Sequence, residues 1–592
     1  MTASTRPGPR LPEPRSPEQP LPPLDISLDG VVAAGPRLRH RVAPALARRA
    51  RRHRIDLVLV AVLLLAGGLV HAAGMYTSPA RFDDEGTYTA YAWAVANWHT
   101  LGHYTYWYAH PPLGWLQISL WTWLTDGFDR APYAVGAARE FMLVCKLVTI
   151  PLLYALGRRL GLGRPGSVLG VTVFVFSPLA VYFTRAALLD NVVTPWLVAA
   201  FLLAASPRRS IGAAVASAGC LAVAVLTKET ALLYLPAVVV LLWQRADRRN
   251  RRFTTALFAA WFILLCAAFP LYALIKNELL VGPDHVSLEW AVRWQLFERT
   301  GSGSIFDPAS TASAVIHSWL AQDPWLPQLA LLLVVPGLLV RRTRAVALAF
   351  AIQVVLLLRS GYLPYPYVIA MIPFAALTIG GVADHLWRWG EARPTGARRP
   401  ATARRRAWQV AVAGLCGWLL LAVGHAWSIP LRDLREVNRD AGKAQALAWV
   451  RDRVPNSAYV VVDDSLWVDL VRAGHPADRV IWFTKLDVDR DVKIPGSPSW
   501  TGISYVVLDQ QDDLASHVQA DGRPSADTLR MFPTLGQALR HSVPVARFGV
   551  GLDTITVREV RPETRALPAT RALPATRAHP ASQPAGARRT AR

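Results

Sequence analysis

The sequence predicts a polytopic α-helical membrane protein, about eleven transmembrane helices followed by a small C-terminal α/β domain, and two observations carry that prediction. Hydrophobic residues fill 52% of the 592 positions and charged residues only 18%, and the charges are not spread evenly. Segments such as 55–76, 253–275 and 408–427 are almost free of charge over about 20 residues, the length a helix needs to cross about 30 Å of hydrocarbon. The second observation concerns arginine: the basic stretches 48–54, 158–164, 208–209, 245–252, 341–344 and 388–406 fall at every second connection between apolar segments. Basic residues concentrate in cytoplasmic loops, so this alternation sets an orientation as well as a count.

With those stretches on the cytoplasmic side, the spans fall near 55–76, 136–157, 166–184, 188–205, 211–227, 230–244, 253–275, 326–340, 345–358, 362–387 and 408–428. An odd count places the N-terminus in the cytoplasm and the C-terminal domain outside, with the plasma membrane as the expected location. The net charge of +23 then follows from topology, and no nucleic-acid partner is expected. Because 54 residues precede the first span and no small-residue cleavage site closes it, that span reads as a retained anchor rather than a cleaved signal. Cys145, Cys220, Cys266 and Cys416 all fall inside spans, where a free thiol packs as a small apolar group.

Outside the spans the chain changes character. Residues 1–54 are basic and Pro-rich and are expected to be a disordered cytoplasmic segment. The tail 561–592, which repeats Arg-Ala-Leu-Pro-Ala-Thr at 565–570 and 571–576, is expected to be disordered too. Between them, 55–428 forms the transmembrane domain and 429–560 an extracytoplasmic α/β domain. Within that domain a helical period covers 441–452, and β-branched runs predict strands at 458–462, 480–483, 503–508, 543–550 and 554–560.

Polar groups gather in the first outer loop, 77–136. Asp83, Asp84 and Glu85 precede Tyr88, Tyr91, Val95 and Trp98, whose spacing puts them on one helical face. A second amphipathic stretch, 113–124, follows His110-Pro111-Pro112, where proline suits a first helical turn. Both are expected to lie in the interfacial plane of the bilayer.

Taken in order, Asp84-Glu85 with Tyr88, His110-Pro111-Pro112-Leu113-Gly114, the segment Arg185 to Asp190, and Leu226-Thr227-Lys228 resemble the GT-C superfamily of lipid-linked-sugar glycosyltransferases. The protein O-mannosyltransferase and aminoarabinose-transferase branches are the most similar, over roughly residues 55–385. The resemblance implies a GT-C bundle with a membrane-level cavity for a polyprenyl-phosphate sugar. It assigns the catalytic carboxylate to Asp84, with Glu85 beside it. Capping of the helix by Asp83 or Asp84 is the competing structural role. Two positions depart from the mannosyltransferase pattern: Tyr108 stands where an aspartate is usual and Trp115 where a basic residue is usual. Tyr367 to Pro373 fits the family's last segment, with Pro366 in place of an arginine that Arg359 would replace.

A polyprenyl phosphate is a good leaving group, so transfer of its sugar calls for cations near the departing oxygens; Arg185, Lys228 and His110 are the available ones. The attacking acceptor hydroxyl needs a base, the role given to Asp84, and one displacement with one base predicts inversion. Asp190, Tyr88 and Tyr367 are expected to support the site. Competing with these roles are an Arg185–Asp190 ion pair and snorkelling of Lys228 to the headgroups. No cofactor is assigned; a divalent cation is left open, with Asp84, Glu85 and Asp190 as the carboxylates to gather it. The acceptor, whether glycan, lipid or protein, is not specified. A secondary transporter and a non-catalytic envelope-assembly protein are the alternative functions. Gly161-Leu-Gly163-Arg-Pro-Gly166 matches a dinucleotide fingerprint formally but joins two spans and follows no strand, so it reads as a turn. The Asp487, Asp489, Asp491 run lacks the glycine and glutamate of a calcium loop and reads as a solvated acidic turn.

Overall fold

A computed structural model describes residues 36–206, 210–389, 400–509, 524, 529–530 and 532–562. Residues 1–35 and the tail repeats, both expected to be disordered, lie outside the described residues. The chain divides into two compact units, Met1–Val58 and Leu59–Arg592. In the first, helix begins at Pro36, inside the stretch expected to be disordered. Arginine, alanine and leucine dominate that stretch and are strong helix formers whatever their charge.

Helix α1 (Pro36–Ala72) leads into the 77–136 loop, which holds α2 (Asp83–Trp98), α3 (Leu113–Leu124) and the single turn α4 (Gly127–Arg130). The bundle continues with α5 (Ala134–Leu160), α6 (Arg164–Phe176), α7 (Pro178–Arg185), α8 (Leu189–Ala204), α9 (Ile211–Thr227), α10 (Leu235–Arg245), α11 (Arg251–Cys266) and α12 (Ala268–Ile275). A second long loop carries α13 (Leu288–Arg293) and α14 (Thr311–Gln322), before α15 (Trp325–Leu339), α16 (Arg344–Leu357), α17 (Ile372–Trp389) and α18 (Pro400–Glu436). Helix therefore occupies every predicted span. Among the described residues five helices are long and apolar enough to cross a membrane, or six counting α6 and α7 as one broken span; α8, α9, α15 and α16 are apolar but shorter. The 59° bend between α6 and α7 falls at Ser177-Pro178. Pro178 cannot donate to the preceding turn, and the Ser177 hydroxyl accepts from Ala180 N to start the new helix. Tight packing uses small residues: a Cβ on Gly380 of α17 would come within 2.3 Å of Gly166 O on α6.

After the bundle come α19 (Ala441–Arg453), β1 (Tyr459–Val462), α20 (Asp464–Arg472), β2 (Val480–Trp482), β3 (Ile503–Asp509), α21 (Pro533–Arg540), β4 (Ser542–Phe548) and β5 (Ile555–Val560). The strands overlap the runs read from the sequence at 458–462, 480–483, 503–508, 543–550 and 554–560. The sheet order is β2-β1-β3-β5-β4. β1 runs parallel to β2 and β3, with Val461 opposite Ile481 and Val506, whereas β5 is antiparallel to β3 and β4. The parallel β1–β2 step needs a crossover, and α20 supplies it. Alternation then sorts the faces: Val461, Ile481 and Val506 pack with Leu535 and Leu539 of α21. Val460, Val462 and Trp482 point the other way and join Trp467 and the bundle in one core.

That second face changes the reading of α2. Rather than lying bare in a lipid interface, α2 is sandwiched between the bundle and α20. A Cβ on Gly86 would come within 2.1 Å of Ser465 N, so only glycine permits this approach. Trp93 and Trp98 meet Trp467 at ring distances of 5.7 and 5.8 Å, and Tyr91 meets Trp115 and Trp482. An aromatic face suits either surroundings; the sheet domain covers this one. Asp489, expected in a solvated turn, is also buried, its carboxylate accepting from the backbone and hydroxyl of Thr105.

Candidate active site

The N-terminus of α2 positions two adjacent carboxylates differently. Phe82 is the N-cap and no side chain caps the helix, so Asp84 sits in the first turn and is not the cap. Successive helical residues point about 100° apart, so the two carboxylates leave the helix in different directions. Glu85 faces the core and is fully buried. Its carboxylate accepts from Arg139 Nε at 2.8 Å and Nη2 at 2.6 Å, and from Ala187 N at 2.6 Å. Arg139 Nη1 completes the closure by donating to the carbonyls of Met75 and Pro79. Nearby, Arg81 pairs with Asp440 at 2.6 Å and Asp469 at 3.0 Å, fastening the sheet domain to the loop.

Asp84 is half-buried and lies in the field of Lys228, His110, Asp190 and Arg299. Burial pushes its carboxyl above the ordinary range; Lys228, His110 and Arg299 oppose that rise, and Asp190 adds to it. Lys228, buried where α9 ends, is 2.7 Å from Asp190 at the start of α8. Burial disfavours its ammonium, but Asp190, Glu229 and Asp84 outweigh this and keep it charged. His110 Nδ1 lies 2.8 Å from Glu229 Oε2, and its ring is 6.2 Å from that of the buried Tyr88. The Tyr106 hydroxyl donates to the His110 carbonyl, fixing the backbone there. Gln117 links α3 to this cluster by donating to Thr227 Oγ1 at 3.1 Å and accepting from Trp196 Nε1 at 2.8 Å. Residues 84, 110, 190 and 228 thus converge.

Arg185 does not join them. Its guanidinium donates to the carbonyls of Val70, Ala73, Ser78 and Leu434, at 2.6 to 3.3 Å, and closes the C-terminal end of α1. Neither does it pair with Asp190, whose partner is Lys228. Tyr367 is half-buried, its hydroxyl donating to Gln353 O at 3.4 Å. Tyr108 donates to Glu278 at 2.6 Å, and Trp115 is buried against Tyr91 and Tyr106. The cation that sequence reading missed is Arg299, in the loop between α13 and α14. It lies 3.4 Å over the Tyr362 ring and donates to Gln295. Nothing in the local sequence set it apart from Arg293 in the same loop.

A divalent cation does not fit the carboxylates named for it. Glu85 is committed to Arg139 and Asp190 to Lys228. Among the described residues no three His, Cys, Asp or Glu side chains gather as a metal site.

The fold has solved counterparts. ArnT from Cupriavidus metallidurans bound to undecaprenyl phosphate superposes with a TM-score of 0.53 at 16% identity, over 86% of this chain and 99% of that one. The chain has the GT-C fold. The archaeal oligosaccharyltransferase AglB from Archaeoglobus fulgidus, in complex with an inhibitory peptide and a dolichol-phosphate, superposes at a TM-score of 0.51 and 13% identity, over 78% of this chain and 70% of that one. The dolichyl-phosphate-mannose-protein mannosyltransferase family matches residues 109–272, which take in the His110 to Gly114, Arg185 to Asp190 and Lys228 segments of the GT-C resemblance. No curated protein sequence matches the chain significantly.

Proposed function

We propose that the chain is a membrane glycosyltransferase that moves a sugar from a polyprenyl phosphate to an acceptor hydroxyl, on the outer face of the plasma membrane, with inversion. The observation that carries this reading is the half-buried Asp84 carboxylate surrounded by Lys228, His110 and Arg299 on a GT-C scaffold. In the step it supports, Asp84 takes the proton of the acceptor hydroxyl as that oxygen bonds the anomeric carbon. The bond from the anomeric carbon to the phosphate oxygen breaks on the opposite face, and the electron pair leaves with the polyprenyl phosphate. Arg299, whose fork has no carboxylate partner among the described residues, and Lys228 balance the charge growing on that oxygen. His110, oriented by Glu229, stands beside them. Glu85 and Arg185 hold the scaffold in this reading rather than touching substrate.

The test is transfer from a panel of radiolabelled polyprenyl-phosphate sugars, using protein in nanodiscs and acceptors from a membrane extract. One donor is expected to label an acceptor with inverted anomeric configuration and to release polyprenyl phosphate. Failure of every donor, or accessibility labelling that places residue 84 on the cytoplasmic side, would overturn the reading.

A further inference from the structure

At the end of the bundle opposite the carboxylates, the helix ends surround a basic hollow. α5 stops at Leu160, where Gly161 takes a left-handed conformation (φ 96°). α10 stops at Arg245, and the turn from α15 to α16 carries Arg341 and Arg342. These residues, with Ser206 beyond α8 and Gln244, line a cavity of about 500 Å³. That volume is within the range of small-ligand sites.

Among the described residues no carboxylate lines it. Arg245 donates to Leu160 O at 3.2 Å and Arg342 to Gly161 O at 3.3 Å, which satisfies carbonyls at the end of α5. A guanidinium has five donors, so these bonds leave most of them uncommitted. Arg341 makes no ion pair among the described residues, and Arg341 and Arg342 both repel the charge on Arg245. Capping of carbonyls accounts for one donor each from two arginines. It does not account for three guanidiniums held around one hollow against their mutual repulsion, an arrangement that an anion relieves.

We infer that this hollow binds the phosphate headgroup of an anionic phospholipid from the leaflet at that end of the bundle. The planar forks of arginine match phosphate oxygens in pairs, and basic pockets between transmembrane helices are suited to such headgroups. Two neighbours favour a lipid over a soluble phosphate. Trp243, with Arg251 over its ring, and Leu339 leave apolar side chains exposed on the helices at this end of the bundle, where lipid would meet them.

The test compares delipidated full-length protein with the Arg341→Gln/Arg342→Gln variant by native mass spectrometry. Phosphatidylglycerol is titrated, with phosphatidylcholine as the zwitterionic control and inorganic phosphate as the soluble competitor. The variant is expected to bind phosphatidylglycerol about tenfold more weakly or worse, since charge-assisted bonds are lost, with phosphatidylcholine unchanged. A photoactivatable phosphatidylglycerol should label the wild-type chain within 241–245 or 339–344, a readout independent of the variant's folding. Equal retention of phosphatidylglycerol by both proteins, no label in either segment, or inorganic phosphate displacing the lipid at comparable concentration would each overturn the assignment.

Discussion

Asp84 and Glu85 are neighbours in the chain and belong to two different electrostatic regions. Around Glu85 every charge is met: Arg139 forks onto both carboxylate oxygens, and the spare donors reach carbonyls. The Arg81, Asp440 and Asp469 group beside it is equally buried. Around Asp84 the charges are near one another without being closed off. His110 pairs with Glu229 and Lys228 with Asp190, but His110 is 19% exposed and Glu229 45%, against full burial of Glu85 and Arg139. A saturated cluster fixes geometry because any change leaves a buried charge unmatched. A more exposed one can accept a substrate's charge, and the roughly 100° between adjacent helical residues turns the two carboxylates to different sides of α2.

The largest effects should therefore come in different measurements. Asp84→Asn is expected to lower transfer by about 10² to 10⁴-fold, the usual contribution of a general base. Its thermal stability should be unchanged or higher at neutral pH. Burial raises the folded-state pKa of Asp84, so the stabilising influence belongs to the protonated form and is lost as pH rises through that pKa; the amide removes the cost. Glu85→Gln should do the reverse. Leaving Arg139 buried without its partner costs about 3–5 kcal/mol, seen as a lower unfolding midpoint, while the folded fraction keeps most of its turnover. Loss of turnover in folded Glu85→Gln protein at the level of Asp84→Asn would merge the two regions and give Glu85 a direct role.

Next in size is Arg299→Gln. Loss of a charge-assisted bond to the donor phosphate, about 1.5–3 kcal/mol, should raise KM for the donor by about tenfold to a hundredfold. Arg299→Lys should recover only part, because an ammonium keeps the charge without the fork or the stack on Tyr362. An unchanged KM in Arg299→Gln would place the phosphate elsewhere.

What could be read from the sequence follows the same division. Helices and strands were legible because lipid calls for long uncharged runs and a sheet for short runs of β-branched residues. Convergence of Asp84, His110, Asp190 and Lys228 was legible through ordered segments resembling a known family. The choice of Asp84 over Glu85 rested on that resemblance alone, since helical phase depends on where Arg139 comes from, 54 positions later. Arg185 looked available because a lone arginine at a span end carries no mark of four carbonyls waiting for it. The aromatic face of α2 was visible, but its cover was not: Trp467 and Trp482 lie far along the chain, and aromatic rings serve protein and lipid interfaces alike. Arg299 sits in a Gly- and Ser-rich loop with no apolar period to place it.

The subtlest difference between the regions is tunability. Charges around Glu85 are locked, whereas those around Asp84 set where the base titrates, and kcat/KM against pH reads that setting in the free enzyme. Only ionised Asp84 accepts a proton, so the acid limb should lie above the ordinary carboxylate value of 3.8. Lys228 is the strongest of the cations opposing the rise; in Lys228→Met the carboxyl rises further and the residual activity loses its acid limb at higher pH. His110→Gln should move the limb the same way by less. Asp190→Asn removes a like charge and should move it to lower pH, even though Lys228 loses its partner. Opposite shifts from two residues that bond each other at 2.7 Å distinguish an effect on Asp84 from general damage to the pair, which would move both variants alike.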